Sequence, residues 1–335
     1  MRVSFVTLLL ALMLAACNTS KTEPATLREE NPQASYQIDT VASDDAAASR
    51  AGALLDATYY RNKVQNTSAA AVLLAPALKG VSRSASAYVQ AARLTVMEPT
   101  QTSDEELAIR YHALLDRALE IQPSNAKAYI LKAEAFDMQS DYASERTSLD
   151  KSKALGTVDP WLLMGYARLD SKTKGRNESV GWYRQVVSGG PGNSESDRRA
   201  FVSAAVQVGQ YNSGPGELSL EQLGALVWKH RNPNDAYSLG SFAQYFVIEA
   251  NYDTGVVFAK EALRVMDYRV ARTTLAAALY GKAAELLVAG KAAEAGRLMT
   301  EARLTDYDRD EVFKHYSGTN ERTAKLLPTL RKIVL

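Results

Sequence analysis

The chain has 335 residues, with 39 lysines and arginines against 38 aspartates and glutamates, three histidines and one cysteine. So even a charge balance offers no basic stripe for a nucleic-acid backbone, and one cysteine excludes a disulfide framework within the chain. The length exceeds what one ordinary core holds and suits either two domains or one elongated repeat array.

At the amino end, Arg2 precedes an apolar run from Val3 to Leu14 that includes Phe5, Leu8, Leu9, Leu10, Leu12 and Met13. One charge before an apolar core too short to span a bilayer predicts a secretion signal, not a transmembrane helix. The run closes on Leu14-Ala15-Ala16-Cys17, which resembles a bacterial lipobox. That resemblance implies that residues 1–16 are a lipoprotein signal peptide and that Cys17 is acylated on its sulfur and its amino group. An ordinary signal peptide with a chance cysteine is the alternative. Asn18 stands where an inner-membrane retention signal often has aspartate. The expected address is therefore the bacterial outer membrane, lipid-anchored and facing the periplasm, with the inner membrane second.

Residues 17–44 read as the lipidated cysteine and a flexible tether. Asn18 to Pro24 and Glu29 to Gln33 are polar, with two prolines and few large apolar residues. Such a stretch buries too little surface to offset its ordering entropy. Its reach would be roughly 5–6 Å times the square root of its length.

From Ser43 onward the pattern is helical. Ala, Leu, Glu, Lys and Arg dominate, and apolar residues recur three and four apart, as in Leu107, Tyr111, Leu114, Leu115, Ala118 and Leu119. Residues 45–98 form an N-terminal helical segment, 99–305 a repeat region, and 306–335 a C-terminal capping helix. Breakers fall at helix-hairpin spacing: Pro99, Pro123-Ser124-Asn125, Asp159-Pro160, Gly189 to Gly192, Gly214-Pro215-Gly216 and Pro233-Asn234. Ser103-Asp104-Glu105-Glu106 reads as a helix start, and so does Ser219-Leu220-Glu221-Gln222, with Gln222 at the capping-box position.

Laid over one another, the punctuated segments repeat. Ala118-Leu119-Glu120-Ile121-Gln122-Pro123, followed by Tyr129, resembles the junction between two tetratricopeptide repeats. The unit continues through Ala133, Phe136 and Asp141-Tyr142, then departs: Glu145 stands where the family has alanine, and Ala154-Leu155 comes two residues late. A second unit, Leu239, Ala243, Phe246, Asn251-Tyr252-Asp253, Gly255, Ala259 and Ala262-Leu263, keeps the register. Gly255 falls at the small position where the two helices of a hairpin come closest. A third unit shows Gly290 to Ala295 and Ala302. The unit from Trp161 starts like a tetratricopeptide helix, while Ser179 to Gly189, with Trp182-Tyr183, is similar to a Sel1-type repeat with valines at its two alanine positions. The fold these resemblances imply is all-α: a right-handed α-solenoid of antiparallel helix pairs. An unrelated helical bundle is the other possibility.

Chemistry is sparse. His112, His230 and His315 lie on different helices without a second histidine or acid at metal-ligand spacing, so each reads as a solvated or core histidine. There is no Gly-x-Ser-x-Gly elbow and no phosphate loop. Asp306 to Glu311 begins like a calcium loop, but Glu311 replaces the required glycine and Ser317 the closing glutamate, which leaves a solvated acidic turn. We therefore expect no enzyme, no cofactor and no metal.

What remains is surface. In the tetratricopeptide family, partners usually lie along the concave face made by the first helix of each pair. Carried over, that face comprises Lys127, Ile130, Glu134 and Asp137 in one unit, Leu162, Tyr166 and Leu169 in the next, and Tyr237, Gln244 and Val247 further on. The chain holds 17 tyrosines against 7 phenylalanines, which suits a half-wet groove, although tyrosines also pack between helices in this repeat. Glu321 to Leu335, with Leu326, Leu327, Leu330, Ile333 and Val334 apolar, reads as a cap over the last repeat; a basic amphipathic membrane-surface helix is the alternative. The implied function is a membrane-anchored scaffold or adaptor that binds envelope proteins in an assembly for exopolysaccharide export, secretion or pilus formation. Two rival functions are an adaptor regulating a peptidoglycan hydrolase or protease, and a cell-wall glycan-active enzyme.

Overall fold

The computed structural model describes residues 32–97, 103–210, 218–305, 307–316 and 320–334. The signal segment, Cys17 and the breaker at Gly214-Pro215-Gly216 lie outside the described residues. Thr40–Leu335 forms one compact unit; of the residues up to Asp39, those described are helical.

All regular structure among the described residues is helical. Helix α1 runs from Pro32 to Asp56, and a short 3-10 turn at Tyr60–Asn62 leads into α2 (Lys63–Leu73) and α3 (Ala75–Leu78). Six hairpins follow. They are α4 (Ala85–Met97) with α5 (Asp104–Ile121), α6 (Ala126–Met138) with α7 (Tyr142–Ala154), and α8 (Pro160–Thr173) with α9 (Arg176–Gly189). Next come α10 (Glu195–Gln210) with α11 (Leu220–His230), α12 (Ala236–Ile248) with α13 (Tyr252–Val265), and α14 (Arg269–Val288) with α15 (Ala292–Arg303). The short α16 (Arg309–Lys314) and then α17 (Glu321–Ile333) complete the unit, both lying on α14.

One expectation needs correcting. Residues 32–44, read from the sequence as part of a tether, belong to α1. Ala42 in this stretch and Ala46, Ala47 and Ala48 just after it are strong helix formers, which favours the helix over a tether.

The helix ends are set locally. Ser103 accepts from the Glu106 amide, Asn125 from Ala128, Asp141 from Ser144, Asp235 from Ser238 and Asn320 from Arg322. Ser219 and Gln222 form the reciprocal box, with the Ser219 amide donating to Gln222 Oε1 at 2.7 Å and the Gln222 amide to Ser219 Oγ at 3.2 Å. Asp308 likewise caps α16, accepting from the Glu311 amide at 3.1 Å. The acidic turn thus serves as a helix cap.

The first helices of successive hairpins, α4, α6, α8, α10, α12 and α14, touch one another in a row, while the second helices pack chiefly on their neighbours in sequence. A double layer with one layer drawn closer bends toward that layer, so the first helices line the concave side. This is an all-α solenoid. Gly255 lies where α12 and α13 approach: a Cβ there would meet Val247 Cγ2 at 3.0 Å and the Ala243 carbonyl oxygen at 3.5 Å.

The apolar interior is not continuous. One cluster joins α1 to α6 around Leu55, Tyr88 and Leu115, and a large one joins α10 to α17 around Phe242, Phe246 and Tyr280. Between them sits a small third cluster of Ile130, Ala133, Leu149, Leu162, Tyr166 and Leu169.

Candidate docking surface

Five of the positions assigned to the concave face lie inside the protein. Ile130, Leu162, Tyr166 and Leu169 build the small middle cluster, and Val247 is sealed in the large one. The reason is packing. Ile130, Leu162 and Leu169 are taken up between the first helices α6 and α8, while Val247 faces Gly255 of α13 and Tyr166 faces Trp182 of α9, the second helices of their own hairpins. Tyr166 also satisfies its hydroxyl internally, donating to Asp150 Oδ1 at 2.6 Å, and its ring stacks on Trp182 with centroids 5.0 Å apart.

The other five reach the surface. Tyr237 is 56% exposed, with its ring 5.2 Å from that of Tyr268, and Gln244 is half-buried on the same helix. Lys127, Glu134 and Asp137 share α6, each half-buried and each engaged with another element. Lys127 pairs with Asp159 at 2.8 Å and lies 5.9 Å above the Trp161 ring. Glu134 accepts from the Tyr111 hydroxyl at 3.2 Å. Asp137 pairs with Arg168, at 3.2 Å, and with Lys172. The structure therefore gathers Lys127 and Asp137 with residues of α8 and its cap, turns Glu134 to Tyr111 of α5, and keeps Tyr237 and Gln244 in a separate hairpin.

Beneath that rim runs a charged network spanning α6 to α9. Arg168 turns from Asp137 to Glu145, whose side chain is fully buried and whose Oε1 receives both Nε and Nη2 of the arginine, at 3.2 and 3.1 Å. Glu145 Oε2 has no hydrogen-bond partner among the described residues. Burial pushes this carboxyl above the usual range, against the opposing pull of Arg168. Asp170 is held the other way. Burial alone would raise it, but hydrogen bonds from Trp182 Nε1 and Lys174, and that of Arg146, outweigh burial and bring it below the usual carboxylate range. Of this network, Asp137 and Trp182 were legible only as members of a repeat face and a repeat motif, and Glu145 as a departure from the small residue of the repeat. Its partner lies 23 positions away on another hairpin, beyond the reach of local pattern.

The histidines take ordinary roles. His112 meets Gln139 Oε1 at 3.0 Å and the Phe136 ring, His230 lies edge-on to Phe201, and buried His315 bonds Thr274 and the Glu311 carbonyl. Among the described residues no helix is long and apolar enough to cross a membrane.

No protein-family model matches the chain, and no curated protein matches it by sequence. Solved structures do match. One is the crystal structure of YrrB, a TPR protein with an unusual peptide-binding site, at 16% identity and a TM-score of 0.36, covering 59% of this chain and 95% of that one. The class is defined by the helices themselves: an all-α array of antiparallel hairpins, with first helices lining one side.

Proposed function

We propose that this protein is a membrane-tethered scaffold lipoprotein that faces the periplasm and binds other proteins in the assembly of an envelope machine for exopolysaccharide export, secretion or pilus formation. The observation that carries the reading is a conjunction. A lipobox-like Leu14 to Cys17 precedes a long row of helix hairpins whose concave rim offers Lys127, Glu134, Asp137, Tyr237 and Gln244. Acyl chains on Cys17 supply attachment, and the row supplies extended contact area. The outer membrane is the proposed site, on the strength of Asn18.

Replacing the cysteine separates anchor from array. Cys17→Ala should leave the membrane fraction and lose its lipid while its helical circular dichroism stays unchanged. Cross-linking in intact cells followed by purification should recover a defined set of envelope proteins with the wild type. Retention of Cys17→Ala in the membrane would overturn the anchor, and recovery of no partner under several growth states would overturn the scaffold.

A further inference from the structure

The turn before α2 carries side chains to the opposite half of the array. Its shape is fixed by asparagines: the Tyr59 amide donates to Asn62 Oδ1 at 2.7 Å, Asn62 Nδ2 to the Ala57 carbonyl at 2.9 Å, and Asn66 Nδ2 to the Leu54 carbonyl at 3.1 Å. Thr58, buried, donates to the Leu54 carbonyl at 2.7 Å. From this turn Tyr59 reaches the first turn of α10. Its hydroxyl donates to Glu195 Oε1 at 3.3 Å, and the Arg199 guanidinium lies 4.9 Å from its ring centre. Glu195 is itself oriented by Asn232 Nδ2 at 2.7 Å and Arg198 at 2.8 Å.

Arg61 reaches a different hairpin. Its Nη1 donates to the Val265 carbonyl at 3.0 Å, across 204 positions of sequence. Val265 ends α13, where carbonyls lack an intrahelical donor, so Arg61 caps that helix from outside. Beside the contact lies a cavity of about 400 Å³ lined by Tyr60, Arg61, Arg264, Met266 and Asp267 among others. In a solenoid each repeat ordinarily touches only its neighbours, and here two side chains of one turn bridge several hairpins.

We propose that Tyr59 and Arg61 form an internal ligand seated in a recognition notch, made of Glu195, Arg199 and the Val265 carbonyl, whose partner is a protein segment with tyrosine two residues before arginine. The chemistry matches such a segment point for point: a carboxylate for the hydroxyl, a cation for the ring, a helix-end carbonyl for the guanidinium. The contact is a handful of side-chain bonds, small enough for a competing segment to displace. The inference rests on the protein-binding reading above, but it is tested without membranes or envelope partners, so the two stand or fall separately.

The probe is a fluorescent peptide of residues 57–63, added to the purified chain lacking residues 1–16 with Cys17→Ala. The comparison is between this protein and its Tyr59→Ala, Arg61→Ala double variant, both checked for helicity. The peptide should bind the double variant at least tenfold more tightly. A peptide with both residues changed to alanine should not bind, and adding Glu195→Ala to the double variant should abolish binding. Hydrogen exchange at the first turn of α10 and the last turn of α13 should speed severalfold in the double variant. Unchanged exchange overturns the internal ligand. Equal or absent peptide binding to the two proteins, or binding indifferent to the tyrosine and arginine, overturns the recognition notch.

Discussion

At position 145 the chain buries a carboxylate where the tetratricopeptide pattern has alanine, and pairs it with one arginine that also serves Asp137. A buried ion pair recovers its desolvation cost only when every lone pair is satisfied, and Glu145 Oε2 is not hydrogen-bonded among the described residues. Its folded pKa is raised, so ionisation works against folding: the penalty is absent below the unfolded pKa and grows as pH rises through the raised value. Glu145→Gln should therefore gain melting temperature over wild type as pH moves from about 4 to about 7. A gap that stays constant with pH would refute this. Asp170 has the opposite sign. Its folded pKa is lowered, so its contribution is present above the unfolded pKa and lost as pH falls through the lowered value. Asp170→Asn should cost about 1–3 kcal/mol near neutrality, since Trp182, Arg146 and Lys174 lose a charged acceptor. Denaturant titrations at neutral and strongly acid pH should show that cost shrinking toward acid.

Single helices were the most legible part of the sequence, because what starts and stops them is local. Ser103 and the Ser219–Gln222 box act within one turn, the Asp159-Pro160 breaker caps α8 just as locally, and Gly255 marks a contact inside one hairpin. The facing of first-helix residues was not legible in the same way. Whether Ile130 or Leu169 meets water depends on how near the adjoining hairpin comes, which no single segment records. Charged Lys127 and Asp137 stayed at the rim because their heads find partners there without leaving solvent altogether. In α1 the stretch 32–44 is polar enough to suggest a tether, but its alanines hold it in the helix. At the other end, α17 buries Leu326, Leu330 and Ile333 while Thr323 bonds the Tyr252 hydroxyl at 3.1 Å and Arg322 pairs with Glu285. Leu330 is fully buried, so Leu330→Ala should destabilise the protein by about 2–5 kcal/mol in chemical denaturation. A loss below half a kcal/mol, the range of an ordinary surface change, would show that α17 is not seated on α14 in solution.

Across the whole molecule the interior divides in three, and the middle part is the smallest. Contact that is chiefly between neighbours, the Tyr59 and Arg61 bonds apart, makes the stability of such an array close to a sum over hairpins and their interfaces. A thin apolar cluster crossed by buried charges is the weakest interface in that sum. Calorimetry should accordingly show more than one transition, with the calorimetric enthalpy exceeding the van't Hoff value, and brief proteolysis should cut first between α6 and α9. One sharp two-state transition would mean that the charged network couples the halves as firmly as apolar contact does.

Helix α17 has a consequence for neighbouring molecules as well as for its own. The face of α14 that it covers has the shape and apolar character that one hairpin offers the next. Left bare, that face would accept any copy presenting a similar hairpin, and such head-to-tail addition never closes. By occupying it, α17 makes this end a terminus for polymerisation, and keeps a protein built from stackable parts from growing into filaments by adding copies there.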